Sequence, residues 1–390
     1  MIDFLSEAQE LLEYTRELRR DFHQHPELGF QEVRTAGIVA RELTDLGLEV
    51  STGVGKTGVV AILEGKKEGP VILARFDMDA LPIQEETGAE YASQTQGVMH
   101  ACGHDGHTAA GLTVARILEA HKEELSGTVK LVFQPAEEGL GGAEAMVADG
   151  VLDNPRPERS LSLHLWNDKP VGWIGITPGP AMSASDRFAV KIRGRGGHGA
   201  APHLGIDPVV AGAQVISALQ NIVSRNVPPL ESAVVTVTSM TGGEAFNVIP
   251  EVIELRGTIR SFKSEIRDLV LRRFKKIVTG IAEAMDCQAE IELWKITPAT
   301  VNDPEMAGRV REVAARILPE SELEANERTM GSEDMAYMMD DIPGCYFFVG
   351  SANHEQGLDA AHHHPKFDFD ERALPRAAAL MAGAVVEFLK

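Results

Sequence analysis

The stretch Val71-Ile72-Leu73-Ala74-Arg75-Phe76-Asp77-Met78-Asp79 decides the fold class of this chain. Its apolar run leads into two carboxylates, and a similar run from Val129 to Phe133 leads to Glu137 and Glu138. A helical pattern over Thr108 to His121 separates the two runs. Because short apolar strands that alternate with helices typically form parallel sheets, the pattern predicts an α/β fold with a mainly parallel sheet covered by helices. Ligands of such sheets bind beyond the carboxyl ends of the strands, where these acids lie.

Further elements of the same kind lie on both sides of this stretch. The sequence predicts an amphipathic helix, a second helix and two more strands, over Met1 to Arg20, Gln31 to Leu46, Val59 to Leu63 and Ser160 to Leu163. His164 closes the last of these strands, so we expect it at the same sheet edge as the carboxylates.

The pattern changes near Ser183 and returns near Thr297. The elements between them are a strand, a helix, two strands, a helix and a strand, over Arg187 to Arg193, Pro208 to Val223, Ala233 to Ser239, Val252 to Arg260, Ser264 to Ala284 and Gln288 to Leu293. This β-α-β-β-α-β order is typical of a ferredoxin-like α+β sandwich. The earlier pattern then resumes over Pro304 to Ile317, Tyr346 to Val349 and Leu374 to Leu389. We therefore expect one domain of residues 1–182 and 297–390, with an inserted domain of residues 183–296.

The composition argues against several classes of function. The chain has 390 residues, 44% of them hydrophobic, which suffices for more than one compact unit. Its 58 acidic residues exceed its 37 basic ones, and the resulting net charge of −21 would repel nucleic acid or an anionic membrane. No window approaches the ~18 apolar residues of a membrane span, and the N-terminus lacks the features of a secretory signal. Three widely spaced cysteines argue against a disulfide framework. We expect a cytoplasmic protein that binds neither nucleic acid nor membrane.

The segment Met99-His100-Ala101-Cys102-Gly103-His104-Asp105-Gly106-His107 concentrates metal-binding side chains directly before a predicted helix. Thiolate and imidazole are the groups that bind zinc-like metals, and a helix N-terminus favours the thiolate form of Cys102. The alternative is a turn in which the glycines serve the backbone geometry while the histidines form caps and hydrogen bonds. The segment alone leaves both interpretations open.

The segment Gln134-Pro135-Ala136-Glu137-Glu138-Gly139 places two adjacent acids at a strand end. One acid can bind a metal while the other acts as a general base toward water and later protonates a leaving amine. Adjacent acids are also common in solvated turns. The apolar run before them favours the edge of a buried sheet instead.

Three other segments are ambiguous when each is taken alone. His164 is a metal ligand or a core histidine, and His362-His363-His364-Pro365 is a ligand segment or an exposed loop. Asp77-Met78-Asp79 either orients a metal-bound imidazole or caps a helix. Together with the two preceding segments, they offer thiolate, imidazole and carboxylate at several predicted strand ends, as a metal site assembled across a sheet requires.

The inserted domain also contributes candidates. The loop Gly196-Gly197-His198-Gly199-Ala200-Ala201-Pro202-His203 carries two imidazoles, and Asn247 and Arg260 follow it. Taken alone, these residues are better explained by a hairpin turn and an exposed salt bridge.

Seven motifs in order resemble those of a metallopeptidase family that includes the aminoacylases, peptidase family M20. The narrower resemblance is to its N-acyl-L-amino acid amidohydrolases, hippurate hydrolases and indole-acetyl-amino-acid hydrolases. The matching segments span almost the whole chain: residues 25–30, 77–82, 99–107, 134–139, 196–203, 331–334 and 363–365. Such a match is highly specific.

The resemblance implies two divalent metal ions, of zinc, manganese, cobalt or nickel, bridged by Cys102. It implies that His104 and His164 bind one ion and that Glu138 and His363 bind the other. His363 is selected because it precedes the proline of its motif by two positions. Its two histidine neighbours, residues 362 and 364, are chemically equivalent alternatives.

The resemblance also implies roles around the metals. Glu137 is similar to the family's general base and Asp79 to a carboxylate that orients a metal-bound imidazole. The insert resembles a lid or dimerisation domain from which His198 polarises the scissile carbonyl, while Asn247 and Arg260 bind the substrate's carboxylate. A homodimer or higher homo-oligomer acting on an N-acyl amino acid or a short peptide is expected.

This chain departs from more distant members of the family at two positions. Those members have a metal-binding histidine where this chain has Asp77, and a bridging aspartate where it has Cys102. The departure favours the narrower group and leaves the role of Asp77 open.

Three functions are compatible with these residues. The first is metal-dependent hydrolysis of an amide, with Glu137 taking the proton of the attacking water. The second is a cysteine hydrolase that uses Cys102 as nucleophile. The third is a catalytically inactive homologue that keeps the fold and binds a metal or ligand.

Overall fold

The computed structural model describes residues 2–390, which form two compact units. The larger unit comprises the chain up to Ala181 together with residues 301–328 and 334–390. The smaller unit comprises residues 182–300 and 329–333. Residues 329–333 join it because the Ser183 hydroxyl and backbone N–H donate hydrogen bonds to the carbonyl oxygens of Met330 and Gly331, each at 2.9 Å.

A mainly parallel sheet forms the centre of the larger unit. Within residues 2–390 it has eight strands, in the order Glu49–Val54, Gly58–Glu64, Ser126–Gln134, Lys67–Asp77, Arg159–Pro170, Gly344–Ala352, Trp173–Gly175 and Glu322–Glu324. The third to sixth strands of this order run parallel to one another. Their carboxyl ends therefore meet at one edge. The predicted α/β class with a mainly parallel sheet is confirmed.

Helices cover this sheet. They span Phe4–Glu10, Leu12–Gln24, Val33–Asp45, His104–Ala120, Gly142–Ala148, Pro304–Ile317, Ala336–Asp341 and Ala373–Phe388. The prediction of one helix over Met1 to Arg20 is wrong, because the chain forms two helices separated at Leu11. Met1 itself lies outside the described residues.

Two boundaries near the site differ from the prediction. The helix expected to begin at Thr108 begins at His104, because Gly103 precedes it with a φ of 93° that suits glycine. The strand expected to end before His164 continues to Pro170, because it pairs along its length with Gly344–Ala352. His164 therefore lies inside a strand and opposite Phe348.

The helix His104–Ala120 packs closely because its inner residues are small. A Cβ atom on Gly106 would approach side-chain atoms of Leu165 and Phe369 to 2.7 Å, and one on Gly111 would approach Phe76 to 2.6 Å. Real Cβ atoms essentially never approach so closely, so glycine is needed at both places. This packing fixes the start of the helix, and with it His104, against the sheet.

The smaller unit is an antiparallel sheet with two long helices. The strand order is Ala233–Thr241, Val252–Ser261, Ala184–Arg193 and Gln288–Thr297. The helices Pro208–Arg225 and Ser264–Ala284 pack on it around Val215, Leu219, Val270 and Phe274. Shorter elements of the chain are the strands Gly179–Met182, Gly197–His198, Val248–Ile249 and Thr300–Asn302, and the 3₁₀ helices Pro202–Leu204 and His354–Gln356.

Across residues 2–390, the helices are all too short or too polar to cross a membrane.

Candidate metal centre

The Cys102 sulfur belongs to two groups of potential metal ligands in the larger unit. One group is Cys102, His104 and His164, and the other is Cys102, Glu138 and His363. Within each group the ligand atoms lie within 4.8 Å of one another. The structure thus brings together all five side chains that the sequence proposed as ligands.

His164 directs one ring nitrogen, Nε2, at the sulfur. Its Nδ1 lies 2.7 Å from the carbonyl oxygen of Leu165, so the ring proton belongs on Nδ1. Its Nε2 lies 3.4 Å from Cys102 Sγ and is left with a lone pair. Burial lowers the pKa of His164 well below its usual value, which favours the neutral ring that binds metals.

His104 is oriented in the same way by Asp79. Its Nδ1 lies 3.0 Å from the carbonyl oxygen of Asp79 and 3.2 Å from Asp79 Oδ1. Its Nε2 is buried and has no hydrogen-bond partner anywhere in residues 2–390. Burial lowers the pKa of this ring, but the charges of Asp77 and Cys102 outweigh that and hold the pKa well above its usual value. An unpartnered buried nitrogen that faces negative charge suits a cation.

Glu138 and His363 face each other beside the sulfur. Glu138 Oε1 lies 3.2 Å from His363 Nε2. The His363 backbone has a φ of 66°, and its N–H donates to the Ala101 carbonyl oxygen at 2.7 Å, next to Cys102. Hydrogen bonds with Cys102 and Glu138 raise the pKa of His363 to about 10. A position that stabilises the positive charge of a protonated imidazole so strongly also suits a metal cation.

The two other histidines of the same segment are less suited to bind a metal. His362 Nε2 accepts a hydrogen bond from the Asn167 N–H at 3.1 Å, and its Nδ1 lies 3.9 Å from Cys102 Sγ, so both ring nitrogens are engaged. Its ring also packs near Trp166 and Phe367, with centroids 5.1 Å away in each case. His364 is exposed and accepts from a neighbouring backbone N–H, that of residue 366, at 3.0 Å. The geometry therefore favours His363 as the ligand of this segment.

His107, although it lies in the same motif as Cys102, has both ring nitrogens engaged. Its Nδ1 lies 2.6 Å from Asp77 Oδ1, and its Nε2 accepts a hydrogen bond from the Leu165 N–H at 2.9 Å. Asp77 in turn accepts from Arg75 Nη1 at 2.7 Å. Asp77 therefore orients His107 and is itself held by Arg75, which is a supporting role.

Asp79 holds two of the candidate ligands at once. One of its oxygens contacts the His104 ring, and the other accepts a hydrogen bond from the Glu138 N–H at 3.0 Å. The helix-cap alternative for Asp79 has no support in these contacts. The predicted role of a carboxylate that orients a metal-bound imidazole fits them.

Glu137 lies beside the ligands in a tight turn. Its carboxylate is within 4.8 Å of the ligand atoms of His104 and Glu138, and its side chain is half-buried. The turn depends on Ala136, which has a φ of 53° and donates its N–H to Glu32 Oε1 at 2.8 Å. The fully buried Glu32 was not found from the sequence, where it resembles any acid before a helix.

A buried polar network beneath the site was missed as well. Arg75 is fully buried and contacts Asp77, Gln134 and Asp334, with Nε donating to Gln134 Oε1 at 2.8 Å. Gln134 Nε2 also donates to Asp334 Oδ1 at 2.6 Å. Gln134 and Asp334 lie inside the quoted motifs, and a charge at the end of an apolar strand was the signal for Arg75.

The remaining predicted residues belong to the smaller unit. His198 and Val248 pair in a short two-stranded ribbon, and Gly199 N–H donates to the Asn247 carbonyl oxygen at 2.8 Å. His198 and Asn247 are therefore neighbours, and both are exposed. Arg260 lies on the strand Val252–Ser261, and burial lowers the pKa of its guanidinium.

Thiol, imidazole and carboxylate groups converge at the carboxyl edge of a parallel sheet, beside a further carboxylate, and this arrangement fits a metal-dependent hydrolase. The sequence profile of peptidase family M20/M25/M40 matches residues 73–387. The chain belongs to this family.

Relatives of known name are similar over nearly the whole chain. N-acetyl-L-cysteine deacetylase from Bacillus subtilis is 42% identical over 361 residues, which cover 93% of this chain and 85% of that protein. Hippurate hydrolase from Campylobacter jejuni is 38% identical over 393 residues, covering 100% of both. The solved structure of the Bacillus subtilis YXEP protein, described as a dinuclear metal binding peptidase from the M20 family, has a TM-score of 0.84 and 37% identity, covering 97% of this chain and 99% of that one. This chain is a metal-dependent amidohydrolase.

Proposed function

We propose that this amidohydrolase binds two divalent metal ions through one shared sulfur. Cys102 would bridge them, with His104 and His164 completing one set of ligands and Glu138 and His363 the other. The observation that carries the proposal is the membership of Cys102 Sγ in both ligand groups. The donor set, one thiolate, three imidazoles and one carboxylate, suits zinc, cobalt, nickel or manganese rather than calcium or magnesium.

Glu137 is the proposed general base. Bound divalent cations would supply Lewis acidity, which lowers the pKa of water and polarises an amide carbonyl. The Glu137 carboxylate would accept the proton of the attacking water, and its position within 4.8 Å of the ligand atoms of His104 and Glu138 supports this role. As the C–N bond breaks, Glu137 returns this proton to the leaving nitrogen, so the products are a carboxylic acid and an amine.

The proposed substrates are N-acyl amino acids, with short peptides as a second class. The names of the two curated relatives support this, because N-acetyl-L-cysteine and hippurate are both amino acids whose nitrogen carries an acyl group. We infer no preference among acyl groups, since the relatives' names cover a small aliphatic and an aromatic one.

The smaller unit is the proposed lid or dimerisation domain, with a ferredoxin-like arrangement. Its strand-helix-strand-strand-helix-strand order and antiparallel sheet support that arrangement. We propose that His198 stabilises the developing charge on the carbonyl oxygen, and that Asn247 and Arg260 bind the substrate's carboxylate. A homodimer and a cytoplasmic location are part of the same proposal, and the three free cysteines fit a reducing compartment.

The two competing functions have less support. A cysteine nucleophile needs a lowered thiol pKa, whereas burial raises the pKa of the Cys102 thiol. An inactive binding protein has no need of a carboxylate such as Glu137 beside the ligand groups, and the curated relatives are named as hydrolases.

Replacing Glu137 by glutamine tests the assignment of the general base. We expect Glu137→Gln to keep the metal content of the wild type and to lower kcat on an N-acetyl or N-benzoyl amino acid by about 10²–10⁴-fold. Glu144→Gln is the matched control, since Glu144 is an exposed acid on the next helix. Turnover retained by Glu137→Gln, with metal bound, would rule Glu137 out as the base.

A further inference from the structure

The helix Leu12–Gln24, here called the N-terminal helix, carries a fully buried arginine, Arg19. Arg19 has no exposed side-chain surface, and all three of its guanidinium nitrogens contact carboxylates. Nε donates to Asp105 Oδ2 at 2.8 Å, Nη2 to Asp368 Oδ1 at 2.6 Å and Nη1 to Glu371 Oε1 at 3.3 Å. A buried charge with this many partners is strongly fixed in place.

The carboxylates that Arg19 contacts belong to two of the four chain segments that carry the candidate ligands. Asp105 directly follows His104 in the first turn of the helix His104–Ala120. Asp368 follows His363 by five residues, and its carbonyl oxygen accepts a hydrogen bond from Asn167 Nδ2 at 3.0 Å. Arg19 therefore ties the segment of Cys102 and His104 to the segment of His363.

The surroundings of Arg19 hold it in one orientation. Its guanidinium carbon lies 4.8 Å from the centre of the Tyr91 ring and 4.4 Å from that of Phe369. The Tyr91 hydroxyl donates to Asp368 Oδ2 at 2.7 Å, so Tyr91 and Arg19 both donate hydrogen bonds to the Asp368 carboxylate. His23 Nδ1, one turn further along the helix, lies 2.8 Å from Asp105 Oδ2.

We infer that Arg19 is a positioning residue that couples docking of the N-terminal helix to metal binding. The inference rests on the proposed metal ligands and goes beyond them, because Arg19 touches neither metal nor substrate. By linkage, an interaction that sets the spacing of the ligand segments strengthens metal binding, and bound metal stabilises the docked helix to the same extent. Metal affinity therefore depends on a helix that supplies no ligand.

Cobalt binding by the full chain tests this coupling. A thiolate–Co²⁺ charge-transfer band in the near ultraviolet reports occupancy at Cys102, and a competing chelator gives the dissociation constant. We expect Arg19→Met to raise the Co²⁺ dissociation constant by about 10–100-fold, as losses of supporting residues around metal sites do. Arg19→Lys should bind equally weakly, because an ammonium cannot reach all three carboxylates; full rescue by lysine would indicate a simple charge effect and overturn the inference.

Arg116→Met is the matched control. Arg116 also joins the helix His104–Ala120 to the N-terminal helices, by donating to Glu42 Oε2 at 3.0 Å and by lying 4.1 Å from the Tyr14 ring centre. Neither Glu42 nor Tyr14 belongs to a ligand segment, so the Co²⁺ affinity of Arg116→Met should stay within about twofold of the wild type. An equal loss of affinity in both variants would show a general effect of destabilisation and would overturn the inference.

Hydrogen exchange in the wild type provides a measurement that needs no variant. We expect Co²⁺ to slow amide exchange over residues 12–24 but not over the helix Pro304–Ile317. If Arg19→Met does not fold, Asp368→Asn removes the charge from one of the three carboxylates that Arg19 contacts, and we expect it to weaken Co²⁺ binding toward the lower end of the same range. Unchanged exchange over residues 12–24, or wild-type affinity in the folded variants, would overturn the inference. Absence of the thiolate band from the wild type would instead overturn the metal centre, and this inference with it.

Discussion

At the scale of single residues, hydrogen bonding distinguishes ligands from supporting histidines. His107 uses both ring nitrogens within the protein, through Asp77 and the Leu165 N–H. His164 uses only Nδ1 and leaves Nε2 facing Cys102. A ring whose nitrogens are both engaged has no lone pair for a metal, so the partner of each nitrogen indicates its role.

The three adjacent histidines give a direct test of this reasoning. We expect His363→Asn to lower the bound metal from two ions to about one per chain, because it removes a ligand from the group of Cys102 and Glu138. His364→Asn should keep both ions, since the His364 ring is exposed and accepts a hydrogen bond from a backbone N–H. Elemental analysis of the dialysed proteins measures this. Loss of metal from His364→Asn alone would contradict the assignment.

The sequence indicated the residue types of the site better than their individual roles. Cys102, His104, Glu137 and Glu138 lie in compact motifs whose chemistry can be recognised without coordinates. Glu32 could not be recognised, because its contact with the Ala136 N–H joins segments that are far apart in the chain. Such partners depend on tertiary packing, which no local pattern contains.

At the scale of elements, the helix His104–Ala120 connects the fold with the site. The sequence predicted this helix from Thr108 onward but not its first turn, which begins after Gly103 in a left-handed conformation. Similarly, the strand Arg159–Pro170 was predicted only as far as Leu163, because its polar residues do not reveal that a neighbouring strand pairs with them. Hydrogen bonding between Arg159–Pro170 and Gly344–Ala352 extends both strands past their apolar cores.

The glycine at position 106 tests how tightly this helix must pack. We expect Gly106→Ala to reduce the free energy of unfolding by about 1–3 kcal/mol, because the new methyl group would overlap Leu165 and Phe369. Its control is Gly37→Ala, at an exposed helical position with nothing within 4 Å of the added atom. There alanine should stabilise by about 0.5–1 kcal/mol. Urea unfolding measures both, and equal effects would contradict the packing argument.

At the scale of the whole molecule, stability depends on buried charge as well as on apolar burial. Burial alone would raise the pKa of the fully buried Asp105, but the charges of Arg19 and His23 hold it well below its usual value of 3.8. Because the folded state then favours the ionised carboxylate, Asp105 adds stability above a pH of about 4. That stability is lost as the pH falls further.

Acid unfolding of the metal-free protein tests this contribution. We expect the free energy of unfolding to fall between pH 5 and 3, and to fall less steeply in Asp105→Asn, which has no proton to gain at that position. Urea titrations in the presence of a chelator give the slopes. Equal slopes in the two proteins would show that the pKa of Asp105 is not lowered by folding.

In the proposed mechanism, amide hydrolysis depends on two metal ions held around Cys102. The most direct measurement titrates the metal-free protein with Mn²⁺ or Co²⁺ while following hydrolysis of N-acetyl and N-benzoyl amino acids. We expect no turnover without metal, and activity that saturates near two equivalents per chain. Hydrolysis that survives removal of metal by a chelator and is abolished by iodoacetamide would contradict the account, since a cysteine nucleophile would then carry the reaction.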